Sequence, residues 1–154
     1  DHKRQLIQKA GEALKAAKMA SYDEASGTFY STDLGRVASH FYIRHATVLV
    51  LGECLKPHMS ESAVLSMVSR ADEFNQMMVR EEELPELDTL GRQACPHDVK
   101  VKGGIDGKEG KVCALMQAWV SRARVESFSL TADMLYVSSN APRIMRAVFE
   151  IALR

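Results

Sequence analysis

Two arginines near the end of the sequence have the side chains and the spacing to contact a polyanion. Arg143 and Arg146 lie three residues apart, and on a helix this spacing places both guanidinium groups on one face. Guanidinium groups arranged in this way can touch successive phosphates or stack on nucleic-acid bases. Spacing alone favours a simpler interpretation, a solvated face with an ion pair to Glu150. The residues therefore indicate a candidate nucleic-acid contact and leave both interpretations open.

The neighbours of these arginines divide between two faces of the same predicted helix. At 100° per residue, Ala147, Glu150 and Arg154 join the arginines, and the opposite side is apolar. The predicted apolar face consists of Ile144, Met145, Val148, Ile151 and Ala152. Ser139 and Asn140 precede the arginines, and their side chains could contact a nucleic-acid backbone or cap the helix. The candidate binding residues are Ser139, Asn140, Arg143, Arg146 and Arg154.

Two other groups of side chains suggest catalysis or metal binding, but structural roles explain them more simply. Glu81, Glu82 and Glu83 together with Arg36 could be catalytic carboxylates, yet acid–base chemistry needs a partner and a concave site that the sequence does not show. An ion-pair network or favourable charge at a helix N-terminus is the better explanation. The two histidines, at positions 40 and 45, are five residues apart, which does not match the i, i+4 spacing of metal ligands on a helix. We expect them to pack or to form hydrogen bonds.

The glycine-rich run from Gly103 to Lys111 resembles a phosphate-binding loop only superficially. No glycine lies five residues before either Gly-Lys pair, and neither pair is followed by serine or threonine, so the motif of a phosphate loop is incomplete. Residues 95–110 are therefore predicted to form a flexible surface loop. Three aromatic residues, Trp119, Phe128 and Tyr136, lie in apolar stretches and are expected in the core and not on a base-stacking surface.

The composition is that of a globular domain without an overall electrostatic preference. The 154 residues are 46% hydrophobic and include 20 basic and 20 acidic side chains, so any grip on nucleic acid must come from a local basic stripe. Cys54, Cys95 and Cys113 form no CxxC pair, which favours reduced thiols in the nucleus or cytoplasm and argues against a zinc site. The most apolar short run, Thr47 to Leu51, is far shorter than a membrane span. No membrane partner is expected.

Helical spacing dominates the sequence apart from one predicted hairpin. The hairpin comprises residues 19–22 and 28–31, joined by a turn over 23–27 in which Gly27 supplies a positive φ. Helices are predicted over residues 1–18, 32–55 with Thr32 as N-cap, 60–68 with Ser60 as N-cap, 80–92, 111–122, 130–137 and 140–154. The last helix has no capping glycine before Arg154, so we expect the chain to be cut inside a longer protein.

The fold class predicted from these elements is mainly α, a helical bundle preceded by a winged-helix remnant with one β-hairpin. A helix followed by a hairpin is the closing half of a winged helix, so residues 1–31 are assigned to the C-terminal part of such a domain. Residues 32–154 are assigned to the helical bundle, truncated at its C-terminus. The bundle must position the arginine-bearing helix.

The order of several motifs resembles one helicase family along nearly the whole chain. Residues 32–43, TDLGRVASHFYI, resemble the junction between the winged helix and the ratchet bundle of the large Ski-like superfamily 2 helicases. Further similarity follows in the same order at Phe74, then at residues 79–83, 111–121, 127–130 and 143–151. One departure is Pro142, where that family usually has a small residue.

The resemblance implies a Sec-type helical domain, or ratchet domain, that follows two RecA-like ATPase domains absent from this chain. The last helix then lines a nucleic-acid channel, and Arg143, Arg146, Asn140, Ser139 and Arg154 are its expected contacts. The implied partners are single-stranded nucleic acid, the RecA-like domains of the same parent chain and other complex subunits. The parent helicase would use ATP and magnesium, whereas this chain has no cofactor and no catalytic residue. The alternative is a protein–protein scaffold, as in the endoplasmic-reticulum translocation subunit that gives the domain its name.

Overall fold

The computed structural model describes residues 2–23, 25–99 and 103–154. Within these ranges the chain folds into seven α-helices and one two-stranded antiparallel sheet. The elements are α1 (His2–Ala16), β1 (Ala20–Asp23), β2 (Thr28–Ser31), α2 (Asp33–His40), α3 (His45–Cys54), α4 (Glu61–Ser69), α5 (Leu84–Gln93), α6 (Lys108–Val120) and α7 (Phe128–Ala152). The prediction of a mainly α fold with one hairpin is confirmed.

The predicted helix and hairpin at the start of the chain are both present. Tyr22 of β1 lies opposite Phe29 of β2, with their ring centroids 4.6 Å apart. Gly27 has the positive φ, +65°, that the turn requires. The ring of Phe29 covers Gly11 of α1, where even a methyl group would collide with it. Residues 1 and 24, which belong to the predicted helix and turn, lie outside the described residues.

The prediction of one helix over residues 32–55 is wrong, because the chain turns between α2 and α3. Thr32 caps α2 as predicted, and its Oγ1 accepts a hydrogen bond from the Gly35 N–H at 3.0 Å. The helix ends where Tyr42 adopts a left-handed conformation with φ +54°. The buried Glu73 carboxylate then accepts the Arg44 backbone N–H at 2.9 Å. That bond replaces an intrahelical partner at the start of α3, so the interruption leaves this donor satisfied.

The C-terminal helix is continuous, which corrects the prediction of separate helices over residues 130–137 and 140–154. α7 passes through Pro142, although proline has no N–H to donate to the carbonyl four residues earlier. Ala141 and Ile144 on either side of the proline are fully buried. Tertiary packing therefore maintains the helix where local propensity opposes it.

The remaining helix boundaries are close to those predicted. Ser60 caps α4, and its Oγ accepts the Ala63 N–H at 3.2 Å. A 3₁₀ turn, Glu81–Glu83, leads into α5, in which Pro85 occupies the first turn. α6 begins at Lys108, within the predicted loop, because Gly110 packs directly against the backbone of the preceding 3₁₀ turn, Gly104–Asp106. Residues 100–102 of that predicted loop lie outside the described part of the chain.

The core is organised around α6. Every residue from 110 to 118 is buried, because α4, α5 and α7 pack around this helix.

Among the cysteines, which are all free, Cys113 is the one enclosed by this packing, and burial raises the pKa of its thiol to about 11. In the described ranges no helix has the length and apolarity to cross a membrane.

Candidate nucleic-acid interface

α7 carries four of the five candidate binding residues, and its first turn is fixed by a carboxylate from α5. Glu86 accepts the backbone N–H groups of Glu126 at 2.6 Å and Ser127 at 3.1 Å. Burial by itself raises the pKa of Glu86, but these hydrogen bonds outweigh it and the net shift is downward. Ser127 is the N-cap, and its Oγ accepts the Leu130 N–H at 3.4 Å. The loop before α7 is thus tied to α5.

A buried lysine fastens the next part of α7 to α6. Lys111 is fully buried, and its Nζ donates to Glu83 Oε2 at 2.5 Å and Asp133 Oδ2 at 2.6 Å. A third hydrogen bond, 2.7 Å long, reaches the Met78 carbonyl oxygen. All three ammonium donors therefore have acceptors, as a buried cation requires.

A second cation completes this group, which we call the Lys111 cluster: Arg80, Glu83, Lys111 and Asp133. Arg80 contacts Glu83 at 2.5 Å and Asp133 at 3.2 Å. Burial alone would raise the pKa of Glu83, but hydrogen bonds from Lys111, Ser129 and Arg80 outweigh burial and lower it to about 2. The ion-pair network expected for Arg36 with Glu81, Glu82 and Glu83 is present at Glu83, but its cations are Arg80 and Lys111. Arg36 is outside it and pairs with Asp33.

Arg143 ties the second half of α7 to the end of α2. Its Nη1 donates to the carbonyl oxygen of Phe41 at 3.2 Å and to that of Tyr42, and its Nη2 donates to Asn140 Oδ1 at 2.5 Å. These carbonyls belong to the exit of α2, where a positive charge also interacts favourably with the helix dipole. Arg143 thus already has partners within the fold.

Arg146 is placed differently from Arg143. Its side chain is exposed, and among the described residues it has no ion-pair or hydrogen-bond partner. It borders a surface pocket of about 320 Å³ that is also lined by Phe41, Met145, Phe149 and Glu150. At the end of the chain, Arg154 lies 3.6 Å from Asp33. Of the three candidate arginines, Arg146 is the one whose guanidinium is exposed without such a partner.

The assignment of α7 faces needs two corrections. Ala147, predicted on the arginine face, is fully buried, and Ala152, predicted on the apolar face, is exposed. The buried residues of α7 are Leu130, Val137, Ala141, Ile144, Ala147 and Val148. They form a wider arc than a single helix neighbour would bury, because α7 packs against α2, α4 and α6. The exposed face is correspondingly narrower than the one predicted.

The exposed face of α7 forms a line that we call the outer stripe. Its members are Phe128, Leu135, Ser139, Arg146, Phe149 and Leu153, which lie three, four or seven residues apart. Phe128 is 90% exposed, so the prediction that it lies in the core is wrong. The polar and basic members lie between apolar ones along the stripe.

Ser139 and Asn140 lie within α7, so the alternative that they cap a helix is wrong. Ser139 Oγ donates to the Tyr136 carbonyl oxygen at 2.9 Å, and so does Asn140 Nδ2. The oxygen of the Asn140 side chain is the acceptor that orients Arg143. Asn140 therefore supports Arg143, while Ser139 lies on the outer stripe.

Two further aromatic residues that were expected in the core are only partly covered. Trp119 is 42% exposed and lines a surface pocket between α4, α6 and α7. Tyr136 is 44% exposed, its ring lies edge-on to Phe74, and its hydroxyl donates to the Glu73 carbonyl oxygen at 2.7 Å. Both predictions are wrong because these side chains lie at the periphery of the packed helices.

The glycine-rich segment does not present its lysines to a ligand. Lys108 Nζ donates to Asn75 Oδ1 at 2.8 Å, and Lys111 is enclosed in its cluster. His40 and His45 lie in different helices, and the ring of His40 packs edge-on against Phe41. No group of three metal-ligating side chains was found among the described residues.

Sequence reasoning missed two residues of this region. Tyr42 is 81% exposed beside the Arg143 contact, and no local pattern marks it, because its exposure follows from the turn between α2 and α3. Lys111 is the second, and a signal for it existed. A lysine directly before the mostly apolar run from Val112 to Val120, on the same helix, must either reach solvent or find buried carboxylates.

Comparison with known proteins gives one family and a consistent set of relatives. A family model described as the Sec63 Brl domain matches residues 31–154. A DExH-box ATP-dependent RNA helicase of Arabidopsis thaliana is 50% identical over 98% of this chain. Activating signal cointegrator 1 complex subunit 3 of Homo sapiens is 45% identical over 99% of it, and the U5 small nuclear ribonucleoprotein 200 kDa helicase of Drosophila melanogaster is 38% identical over 99%.

These relatives are far longer than the chain, which spans 7% of the length of each. The predicted resemblance to Ski-like helicases is confirmed. Within that group, residues 86–90 together with residues 149–154 point to the helicase subunit of the activating signal cointegrator complex and next to the spliceosomal unwinding helicase. Both kinds of protein are among the relatives.

Proposed function

The chain belongs to the Sec63 Brl domain family, and from this membership we propose that it is a non-catalytic nucleic-acid-gripping module of a larger ATP-dependent helicase. In this proposal α7 lines a channel for a single strand of RNA or DNA. RecA-like domains elsewhere in the parent protein hydrolyse ATP with magnesium and pull the strand, while α7 resists its backsliding. The parent protein acts in the nucleus or cytoplasm with other complex subunits, as the names of the relatives suggest.

The observation that carries the proposal is the position of Arg146. It lies in the outer stripe, its guanidinium is exposed, and no described side chain forms an ion pair with it, although Glu150 lines the same pocket. A cation held on a rigid helix can meet a phosphate without first breaking an internal ion pair. Ser139, about two turns before it, adds a hydroxyl to the same stripe. We propose these two residues as direct contacts.

The other candidate residues, Asn140, Arg143 and Arg154, differ from Arg146 because each already has a partner within the fold. Arg143 and Asn140 bind each other and the exit of α2, so their main contribution is to fix α7 beside α2. A phosphate contact by Arg143 would require its guanidinium to leave the carbonyl oxygens at the exit of α2, and the salt dependence of binding tests whether it does. Arg154 would have to leave Asp33 to reach a strand, and this exposed pair is held weakly in water.

The test compares Arg146→Gln with Arg92→Gln in the full-length protein. Arg92 lies on α5, and its side chain is 77% exposed, so both substitutions remove one surface charge. Removal of one phosphate contact lowers the slope of log affinity against log salt by about 0.7 to 1 for a single strand. We expect that change for Arg146→Gln alone, with unwinding reduced much more than basal ATPase activity, because the ATPase domains still turn over while the strand slips.

The alternative function, a protein–protein scaffold, has one observation in its favour. Apolar members of the outer stripe such as Phe128 and Leu135 are largely exposed, and exposed apolar side chains grouped together mark protein contacts. Unchanged strand binding, salt slope and unwinding in Arg146→Gln would refute the gripping role and favour the scaffold. Loss of folding in Arg146→Gln is not expected, since surface substitutions usually change stability by about 0.5 kcal/mol or less.

A further inference from the structure

The turn between α2 and α3 presents an aromatic ring to solvent. Tyr42 has φ +54°, in the left-handed region that residues with a Cβ rarely adopt. Its side chain is 81% exposed, so the ring gains little from packing. The left-handed conformation is that of an ordinary helix terminus, because it lets the Ile43 N–H reach the Ala38 carbonyl oxygen, whereas packing within the fold does not account for the exposed ring.

Contacts on both sides hold this turn in place. On the C-terminal side of Tyr42, Ile43 is buried and its N–H donates to the Ala38 carbonyl oxygen at 2.8 Å. From α7, the Arg143 guanidinium donates to the carbonyl oxygens of Phe41 and Tyr42. The ring is therefore carried by a backbone that is fixed to α7, within one turn of Arg146 along that helix.

The surface beside this turn has the chemistry that a single strand needs. Phe41, which precedes Tyr42, forms one wall of the pocket of about 320 Å³ that Arg146 and Phe149 also line. Phe149 is 62% exposed. Proteins that bind single strands without sequence preference combine cations for the phosphates with exposed aromatic rings for the bases. Arg146 supplies the first, and the ring of Tyr42 is available for the second.

We propose that Tyr42 stacks on a base of the single strand and that Arg143 is a positioning residue, which holds the Tyr42 turn against α7. This inference rests on the proposed function and adds a base contact to a module that otherwise touches phosphates. Stacking of this kind discriminates little between bases, because every base has a π face. It distinguishes a strand with bases from a bare sugar–phosphate chain.

The test uses Tyr42→Asn and Tyr42→Phe in the full-length protein. Asparagine tolerates the left-handed conformation, so Tyr42→Asn keeps the turn and removes the ring, whereas Tyr42→Phe keeps the ring. The probes are a fluorescent oligothymidylate and an abasic strand with the same number of phosphates. Removal of one stacking ring is worth about tenfold in affinity, with a range of about 5- to 150-fold.

We expect Tyr42→Asn to weaken binding of the thymidylate strand about tenfold, to leave binding of the abasic strand unchanged and to leave the salt slope unchanged. Tyr42→Phe should bind both strands as the wild type does. Arg143→Gln should reduce the preference for the strand with bases, again without a change of slope. A slope lowered by about one unit in Arg143→Gln would mean that Arg143 contacts a phosphate directly, and would overturn its assignment as a positioning residue.

Two results would overturn the role of Tyr42. The first is that Tyr42→Asn binds both strands as the wild type does, which would mean that the ring does not contact the strand. The second is that Tyr42→Asn loses the same affinity for both strands, which would mean that the substitution distorts the surface. The matched variant Arg146→Gln separates this failure from that of the proposed function. If Arg146→Gln still lowers the salt slope, only the base contact is refuted, and if it has no effect either, the gripping role fails as well.

Discussion

Replacement of Lys111 by methionine tests how the first half of α7 is held. Methionine has a similar volume, but it lacks the charge that binds the carboxylates of Glu83 and Asp133. Removal of one partner of a buried ion pair costs about 3–5 kcal/mol, because the other charge stays buried. Arg80 still contacts both carboxylates and offsets part of this cost. We therefore expect the free energy of unfolding at neutral pH to fall by about 3 kcal/mol, the lower end of that range.

The pH dependence of this loss has a definite sign. In the wild type the pKa of Glu83 is lowered from 4.5 to about 2, so its ionised form stabilises the fold above pH 4.5, and that contribution is lost as the pH falls toward 2. Without Lys111, burial raises the pKa of Glu83 relative to the wild type. The carboxyl group can then bind a proton in mildly acidic solution, which relieves the penalty. The difference between variant and wild type should therefore narrow from neutral pH toward pH 4.5.

The assay is urea unfolding followed by circular dichroism at neutral pH and near pH 4.5. Lys108→Met is the matched control, since Lys108 lies on the same helix and its Nζ has a single, exposed hydrogen bond to Asn75. We expect the control to change stability by about 0.5 kcal/mol or less. The reasoning is refuted if Lys111→Met loses less than about 1 kcal/mol, the scale of an exposed pair, or if the loss is the same at both pH values.

Three other substitutions, one of them a matched control, test the local structure that positions the site. Gly35→Ala should destabilise the chain by about 2–3 kcal/mol in the same unfolding assay, because its methyl group would overlap the Met19 carbonyl. Gly52→Ala is the control, because the added methyl group has open space around it, and it should be neutral or stabilise α3 by up to about 1 kcal/mol. Equal changes in stability for Gly35→Ala and Gly52→Ala would contradict this account. Ser127→Ala should cost about 1 kcal/mol through loss of the α7 cap and should increase amide hydrogen exchange in the first turn of α7, while unchanged exchange there would mean that Glu86 alone fixes the turn.

Local signals in the sequence were sufficient for much of the fold. The caps at Thr32 and Ser60 and the turn at Gly27 depend on interactions within a few residues, and all three are present as predicted. The break at Tyr42 depends instead on Glu73 and Arg143, which are distant in sequence. No window of neighbouring residues contains that information. The spacing of apolar residues therefore predicted one helix across Tyr42, where the tertiary contacts turn the chain.

In the candidate site, too, features set by the helix repeat could be predicted and features set by tertiary contacts could not. Helical spacing correctly put Arg146 on an exposed face of α7, because exposure of one residue follows from the helix repeat. Ala147 was assigned to the wrong face, because the spacing does not reveal how many neighbours surround the helix. The contact between Arg143 and Phe41 spans 102 residues and distinguishes two arginines that look equivalent in the sequence.

The continuity of α7 has a mechanical consequence. The helix is attached to the rest of the bundle at Asp133 through the Lys111 cluster and at Arg143 through the exit of α2, two supports about 15 Å apart along its axis at 1.5 Å per residue. Arg146 lies three residues beyond the second support and next to the buried Ala147, so a load applied there enters the bundle at the second support and at the packed residues beside it. Pro142 lies next to the second support and has no N–H, so α7 lacks one backbone hydrogen bond there. We therefore expect α7 to bend first at Pro142. Force on Arg146 would therefore reach α2 before it reaches the buried lysine.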